Sequence, residues 1–217
     1  MKSVALLSGG LDSTVSLAQA LREGEVLLAL TFDYGQKAAR REIAAAARLA
    51  AHFGVPHRVL ELPFLAEVTG TALVRGQVPE PAREALDDPV LARATAAAVW
   101  VPNRNGLFLN IAACFAESLG AGRIITGFNR EEAATFPDNS PGYVAAANAA
   151  FAFSTANGVK VLSYTQRLAK PEIVQLGRRL GVPLQWVWSC YHGGETPCGR
   201  CESCLRLQRA LAGGETV

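Results

Sequence analysis

The sequence predicts an α/β fold built on a mostly parallel sheet. Short apolar runs alternate with stretches of helical periodicity. The links between them are short, and glycine or proline stands at the joints. Residues 26–32 read Val-Leu-Leu-Ala-Leu-Thr-Phe. That is the continuous apolar run of a strand buried on both faces, as parallel sheets require.

Taken in order, residues 2–7 form a first strand ending at Ser-Gly-Gly. A helix over 12–22 follows from the spacing of Val15, Leu17, Ala18 and Leu21. After the second strand comes an alanine-rich helix over 37–53, stopped by Gly54 and Pro56. Residues 58–62 form the third strand. Strand and helix alternating over short links imply parallel pairing with right-handed crossovers. Residues 63–102 break the rhythm with Pro79, Pro81, Pro89 and scattered charge. They read as an inserted flap beside the site, carrying one or two short helices. The core then resumes with a helix over 106–119, a strand over 123–126 ending at Gly127, and a polar loop over 128–140. A helix over 143–153, a strand over 159–162 and a helix over 171–180 follow, Pro171 suiting a first helical turn. The last segment holds four cysteines and a short helix. With no repeat or linker, one domain is expected over 1–217.

Composition narrows the classes. The 217 residues are 50% hydrophobic and 18% charged, enough for one substantial core and too apolar for long disorder. Twenty-one basic against nineteen acidic residues give a net charge of +2, too little to drive nucleic-acid binding. The N-terminal apolar run is shorter than the roughly 7–15 residues of a signal-peptide core. No apolar run reaches the roughly 18 residues of a membrane span. A cytoplasmic protein is expected, with no membrane and no nucleic-acid partner, and clustered cysteines there suggest metal before disulfides.

Two sequence features carry chemistry. Ser8-Gly9-Gly10-Leu11-Asp12-Ser13 stands where the first strand meets the first helix. Glycines let the backbone approach a ligand, and the helix N–H groups and dipole then face an anion. Ser8, Ser13 and Thr14 can add hydroxyls, and Asp12 suits Mg²⁺ or a helix cap. The bland alternative is a plain turn capped by Asp12. The string is not a Walker A loop, because no Gly-Lys-Ser/Thr follows. The second feature is Cys190, Cys198, Cys201 and Cys204, spaced C-x7-C-x2-C-x2-C. Four thiolates close a tetrahedral Zn²⁺ shell, so a structural zinc is expected. A disulfide, a redox pair or an iron–sulfur cluster are the alternatives. Arg200, Arg206 and Arg209 are expected to offset the site's net charge of about −2. Cys114, among alanines, reads as a core residue.

The Ser-Gly-Gly-x-Asp-Ser string resembles the signature loop of the ATP-pyrophosphatase (PP-loop) superfamily. Later residues narrow the resemblance. They are Phe32-Asp33-Tyr34-Gly35-Gln36, Val101-Pro102-Asn103-Arg104-Asn105, and Gly127-Phe128-Asn129-Arg130-Glu131-Glu132 with Phe136-Pro137-Asp138. Lys170-Pro171-Glu172-Ile173 and the segment from Trp188 to Cys204 complete the set. Together they are similar to the 7-cyano-7-deazaguanine synthase family of queuosine biosynthesis, over residues 2–209. Two stretches depart from the usual pattern: Lys37-Ala38 for Arg-His, and Ala133-Ala134-Thr135-Phe136 with Asn139-Ser140 for Tyr-Ser-Gly-Tyr and Cys-Arg. The second leaves room for a related substrate.

The resemblance implies a doubly wound, Rossmann-like sheet of the adenine-nucleotide alpha-hydrolase kind with a C-terminal zinc knuckle. It implies a ligase that uses Mg·ATP to turn 7-carboxy-7-deazaguanine and ammonia into the nitrile through adenylated intermediates. ATP is expected on Leu7, Ser8, Gly9, Gly10, Leu11, Asp12, Ser13, Thr14, Val15, Ser16 and Leu17, and on Asp33, Gly35 and Gln36. Ser8, Asp12, Ser13, Arg104 and Lys170 are the expected catalytic residues. Arg104, Asn105, Gly127, Asn129, Glu132, Phe136 and Asp138 are expected on the substrate. A homodimer is expected from the family. Two other readings compete: a tRNA-modifying ATP-pyrophosphatase, and a non-catalytic nucleic-acid adaptor built on the knuckle.

Overall fold

The computed structural model describes residues 1–213. Five strands form one sheet: β1 (Lys2–Leu6), β2 (Glu25–Asp33), β3 (His57–Glu61), β4 (Arg123–Thr126) and β5 (Lys160–Ser163). Their order is β3-β2-β1-β4-β5, and every pairing is parallel. The helices are α1 (Leu11–Glu23), α2 (Ala39–His52), α3 (Phe64–Glu67), α4 (Pro89–Ala98), α5 (Arg104–Ser118), α6 (Arg130–Ala133), α7 (Pro141–Ser154), α8 (Lys170–Arg179) and α9 (Glu202–Gly213).

Side chains alternate across the sheet with the period of a strand. Val4, Leu30 and Ile124 face a cluster with Leu109 and Ala112 of α5 and Phe151 of α7. Their neighbours Ala5, Ala29 and Ile125 face the other way, against Leu17 and Ala20 of α1 and Ala46 and Ala50 of α2. Helices therefore cover both faces, and the sheet is doubly wound as expected. A third cluster joins Val15 and Ala18 of α1 to Ile173 and Val174 of α8 and Ala210 of α9. Among the described residues no helix is long and apolar enough to cross a membrane.

The chain leaves β1 toward β2 on one side and leaves β4 toward β5 on the other. The crevice between the carboxyl ends of β1 and β4 is the topological switch point, where open α/β sheets bind ligands.

Several elements differ from the sequence expectation. α5 begins at Arg104, because Asn103 takes the left-handed conformation at φ 51° and starts the helix. The polar loop holds α6 and a 3₁₀ turn, Pro137–Asn139. Residues 63–102 agree with the expectation of one or two short helices, carrying α3, a 3₁₀ turn and α4. The last of these has Pro89 in its first turn, and the Asp88 carboxylate accepts from the N–H groups of Val90 and Leu91. Leu65, Leu73, Val78 and Val99 of this insertion pack with Tyr34 and three of the clustered cysteines.

Candidate active site and cysteine centre

A cavity of about 270 Å³ opens at the switch point. Its floor is the turn between β1 and α1. Gly9 sits at φ 78°, and a Cβ there would lie 2.7 Å from the Glu42 carbonyl, so only glycine fits. Gly10 is the residue before the first helical turn, and no side chain caps that turn. The Ser8 and Ser13 hydroxyls lie 3.0 Å apart. The Ser8 N–H donates to Ser13 Oγ, and the Gly10 N–H donates to Ser8 Oγ. Amides, hydroxyls and a helix N-terminus thus converge on one point, the donor set a phosphate needs. Gly127, following β4, crosses this helix start so closely that a Cβ would lie 2.4 Å from the Ser13 nitrogen.

Above the turn stands a charged cluster assembled from three distant segments. Lys170, first residue of α8, donates to the Asp12 carboxylate and to Glu132 Oε1, the latter at 2.8 Å. Burial alone would discharge this lysine, but the two carboxylates outweigh it and hold it protonated. Burial also raises the Asp12 carboxyl, against the pull of Lys170, to about 6. Asp12 Oδ1 is a buried acceptor without a hydrogen-bond partner among the described residues. An orphaned carboxylate oxygen beside a phosphate cradle is an oxygen fit for a hard cation, so the residues suit Mg²⁺. Arg104 enters from the start of α5 and donates to the Tyr34 hydroxyl at 3.2 Å.

The structure brings most of the expected residues together and moves others elsewhere. Leu7, Ser8, Gly10, Leu11, Asp12, Ser13, Gln36, Arg104, Asn105, Gly127, Glu132, Phe136 and Lys170 line the cavity. Thr14, Val15, Ser16 and Leu17 do not, because the second turn of α1 is already inside the fold. The Thr14 hydroxyl donates to the Gly10 carbonyl, and Ser16 Oγ accepts from the Tyr164 N–H. Val15 and Leu17 are core residues. Asp33 and Gly35 shape a turn: Asp33 Oδ1 accepts from the Gly35 N–H, with Gly35 at φ 84°. Gln36 is a brace, donating to the Phe32 carbonyl and Glu42 and accepting from the Tyr34 N–H. Asn129 is fully buried and caps α6, accepting from the Glu132 N–H. Asp138 stands back from the cavity and acts on Arg104 through charge.

Sequence reasoning missed Glu42, Tyr34, Phe108, Trp188, Tyr191 and Ser203, which also line the cavity. The last three belong to the cysteine segment. They lie in the stretch from Trp188 to Cys204 that carries the resemblance, where the cysteines alone read as functional.

The sulfurs of Cys190, Cys198, Cys201 and Cys204 all lie within 4.8 Å of one another. Tetrahedral thiolates around zinc stand about 3.8 Å apart, given a Zn–S bond of about 2.3 Å, and Cys198 and Cys204 are 3.9 Å apart. The four are close enough together to hold one zinc ion. The three arginines expected to balance their charge are engaged elsewhere. Arg200 pairs with Glu80, Arg206 with Glu202 and Glu131, and Arg209 with Asp87. Backbone amides do that work: those of His192 and Cys198 donate to Cys190 Sγ, and those of Arg200 and Cys201 to Cys198 Sγ. Cys114 is exposed on α5, its thiol against the Asn110 carbonyl, and is not the core residue expected.

A doubly wound sheet with a glycine-rich anion turn, a lysine–carboxylate cluster at the switch point and a four-thiolate centre defines a class of nucleotide-dependent enzymes. Residues 2–214 match the family described as "Queuosine biosynthesis protein QueC", and the chain belongs to it. A 7-cyano-7-deazaguanine synthase of Desulforamulus reducens is 63% identical over 97% of this chain and 93% of its own length. That of Desulforudis audaxviator is 60% identical over the full length of both. Among solved structures, a 4-thiouridine synthetase–RNA complex with bound ATP aligns with 22% identity and a TM-score of 0.48, over 98% of this chain and 50% of that one.

Proposed function

We propose that this chain is an ATP-dependent ligase that converts 7-carboxy-7-deazaguanine and ammonia into 7-cyano-7-deazaguanine, the product for which its curated relatives are named. One observation supports the chemistry above others. Lys170 joins Asp12 and Glu132 directly above the Ser8–Ser13 turn, in the same cavity as Arg104. The turn grips the phosphates of ATP. Asp12 would hold Mg²⁺, which supplies charge neutralisation at the phosphates. Arg104 and Lys170 offset charge where the substrate carboxylate meets the α-phosphorus. Ammonia displaces AMP to give the amide. A second ATP activates the amide oxygen, and loss of AMP leaves the nitrile. This is catalysis by positioning and electrostatics, for which preorganised charged groups suffice. Glu132 and Phe136 face the cavity where the base would lie, and Asp138 sets the charge of Arg104 from behind.

In this reading the chain is one domain, residues 63–102 forming a flap over the cavity through Leu73 and Val99. The cysteines hold one structural zinc. The enzyme works in the cytoplasm as a homodimer and uses free ammonia. Incubation with 7-carboxy-7-deazaguanine, ammonium and Mg·ATP tests the reading. The nitrile, identified by mass, is the expected product; a tRNA substrate consumed in its place would favour the tRNA-modifying alternative.

A further inference from the structure

The cavity is lined by three carboxylates, Asp12, Glu42 and Glu132, and two fixed cations, Lys170 and Arg104. Lys170 satisfies Asp12 and Glu132. Glu42 is left over. Among the described residues it has no ion-pair partner within 4.0 Å, and Arg104 acts on it only from farther off. Gln36 Nε2 donates to Glu42 Oε2 at 2.9 Å, and the other contacts of that amide tie it to the backbone of Phe32 and Tyr34. The carboxylate is therefore held in place through one oxygen, while Oε1 has no hydrogen-bond partner among the described residues. An unpaired carboxylate in a site that must also admit polyanionic ATP is unfavourable unless it serves a cation.

We infer that Glu42 is the ammonium site of the reaction, binding NH₄⁺ and accepting the proton that frees its lone pair. The inference rests on the ligase reading above. Ammonium is the one cationic co-substrate of that reaction, and in water at neutral pH it is the dominant form of ammonia. In the step, an N–H bond of ammonium breaks and an O–H bond forms on Glu42. The freed nitrogen attacks the acyl carbon of the adenylate. The carbon–oxygen bond to AMP breaks, and its electron pair leaves on the phosphate oxygen. The attacking nitrogen loses its second proton to solvent as the amide forms. Burial, which favours the protonated carboxyl at this position, makes Glu42 a competent acceptor. Asp33 reinforces that tendency, and Arg104 and the Gln36 amide oppose it.

The test compares wild type and Glu42→Gln by steady-state kinetics, varying ammonium and ATP separately. Hydroxylamine, neutral at assay pH, serves as an alternative nucleophile that traps the adenylate. Zinc content and ATP binding report that the variant is folded. The expected result is a KM for ammonium raised about 10- to 100-fold, the effect of one lost hydrogen bond to a charged group. The KM for ATP and the rate of hydroxamate formation should be unchanged, and Glu42→Asp should recover part of the ammonium affinity. An unchanged ammonium KM overturns the inference, and so does a raised KM for Mg·ATP, which would make Glu42 a magnesium partner. Absence of product from the wild-type chain would remove the ligase reading and this inference together; product from wild type separates the two.

Discussion

The Trp188 N–H donates to the Gly9 carbonyl at 2.8 Å, joining the cysteine segment to the phosphate turn. The Trp188 indole then donates to the Cys190 carbonyl at 2.9 Å. Gly9 is thus fixed from two sides, by α2 beneath it and by the cysteine segment above. The cysteine segment is part of the cavity wall, since Tyr191 and Ser203 beside the cysteines also face the cavity.

Zinc removal should therefore affect nucleotide binding as well as stability. Freshly purified protein should contain one zinc per chain by metal analysis. Cys201→Ser should lose the metal, lower the thermal midpoint and weaken ATP binding together, because site formation and folding are coupled. A zinc-free wild-type preparation with full activity would remove the structural role.

Gly127→Ala should inactivate the enzyme. Its Cβ would press on the Ser13 nitrogen at 2.4 Å, and the contact is backbone, which cannot swing away. Overpacking of this kind costs about 1–3 kcal/mol, and the displaced α1 start would open the donor ring. Gly122→Ala, whose Cβ meets nothing within 4 Å, is the control and should leave turnover unchanged. Urea denaturation and turnover of both variants check this.

Much of the architecture was legible in the sequence, for a local reason. Each strand is a short apolar run closed by a turn residue, so all five were placed within one or two residues of their bounds. α6 was not legible, because four residues carry no periodicity. The start of α5 was placed two residues late, because Asn103-Arg104-Asn105 reads as a turn until Asn103 is seen to adopt positive φ. In the site, the glycine turn and cysteines were legible as contiguous strings. The pairing of Asp12 with Lys170 spans 158 positions and depends on the packing of α8 on α1. Glu42 was lost in an alanine- and arginine-rich helix in which nothing in the residue pattern sets it apart. Thr14 to Leu17 were assigned to ATP because the string runs on into the helix, whereas the fold buries that turn.

Lys170→Met should reduce turnover by about 10²–10³, the range for loss of one charge-stabilising group. It should also destabilise the fold, because Asp12 and Glu132 would be left unpaired. Breaking a buried pair from one side costs about 3–5 kcal/mol. Here the partial exposure of Glu132 should place the loss toward the lower end. Asp12→Asn and Ser13→Ala should abolish turnover with smaller effects on stability, since Lys170 keeps Glu132 as partner in both. Near-normal turnover in either variant would remove the phosphate role of this turn.

Stability without ATP or Mg²⁺ should depend on pH through Asp12. Its carboxyl is raised from 3.8 in the unfolded chain to about 6 in the fold, chiefly by burial. The folded state therefore binds the proton more tightly. The Asp12 contribution to stability is fully present below 3.8 and is lost as pH rises through about 6. Asp12→Asn should flatten the profile over that range. Urea midpoints of the two proteins from pH 4 to 7 measure it, and parallel curves would show that Asp12 does not titrate in this window.

ATP should be cleaved between its α- and β-phosphates, giving AMP and pyrophosphate. A Walker A lysine extends from the phosphate loop itself to the β- and γ-phosphates and favours transfer at the γ end. The Ser8–Ser13 turn contains no lysine. The cation over it comes from α8 and is bound between Asp12, within the turn, and Glu132. The turn's amides and hydroxyls can enclose the leaving pyrophosphate as a unit. That leaves the α-phosphorus toward Lys170 and Arg104, where a substrate carboxylate can approach in line. An acyl-adenylate suits attack by ammonia, since AMP is a good leaving group. The same activation applied to the amide oxygen leaves the nitrile, so two AMP should form per nitrile. Chromatography of the spent nucleotides decides it. ADP as the dominant product would overturn the adenylation mechanism while leaving the identity of the carboxylate substrate open to its own test.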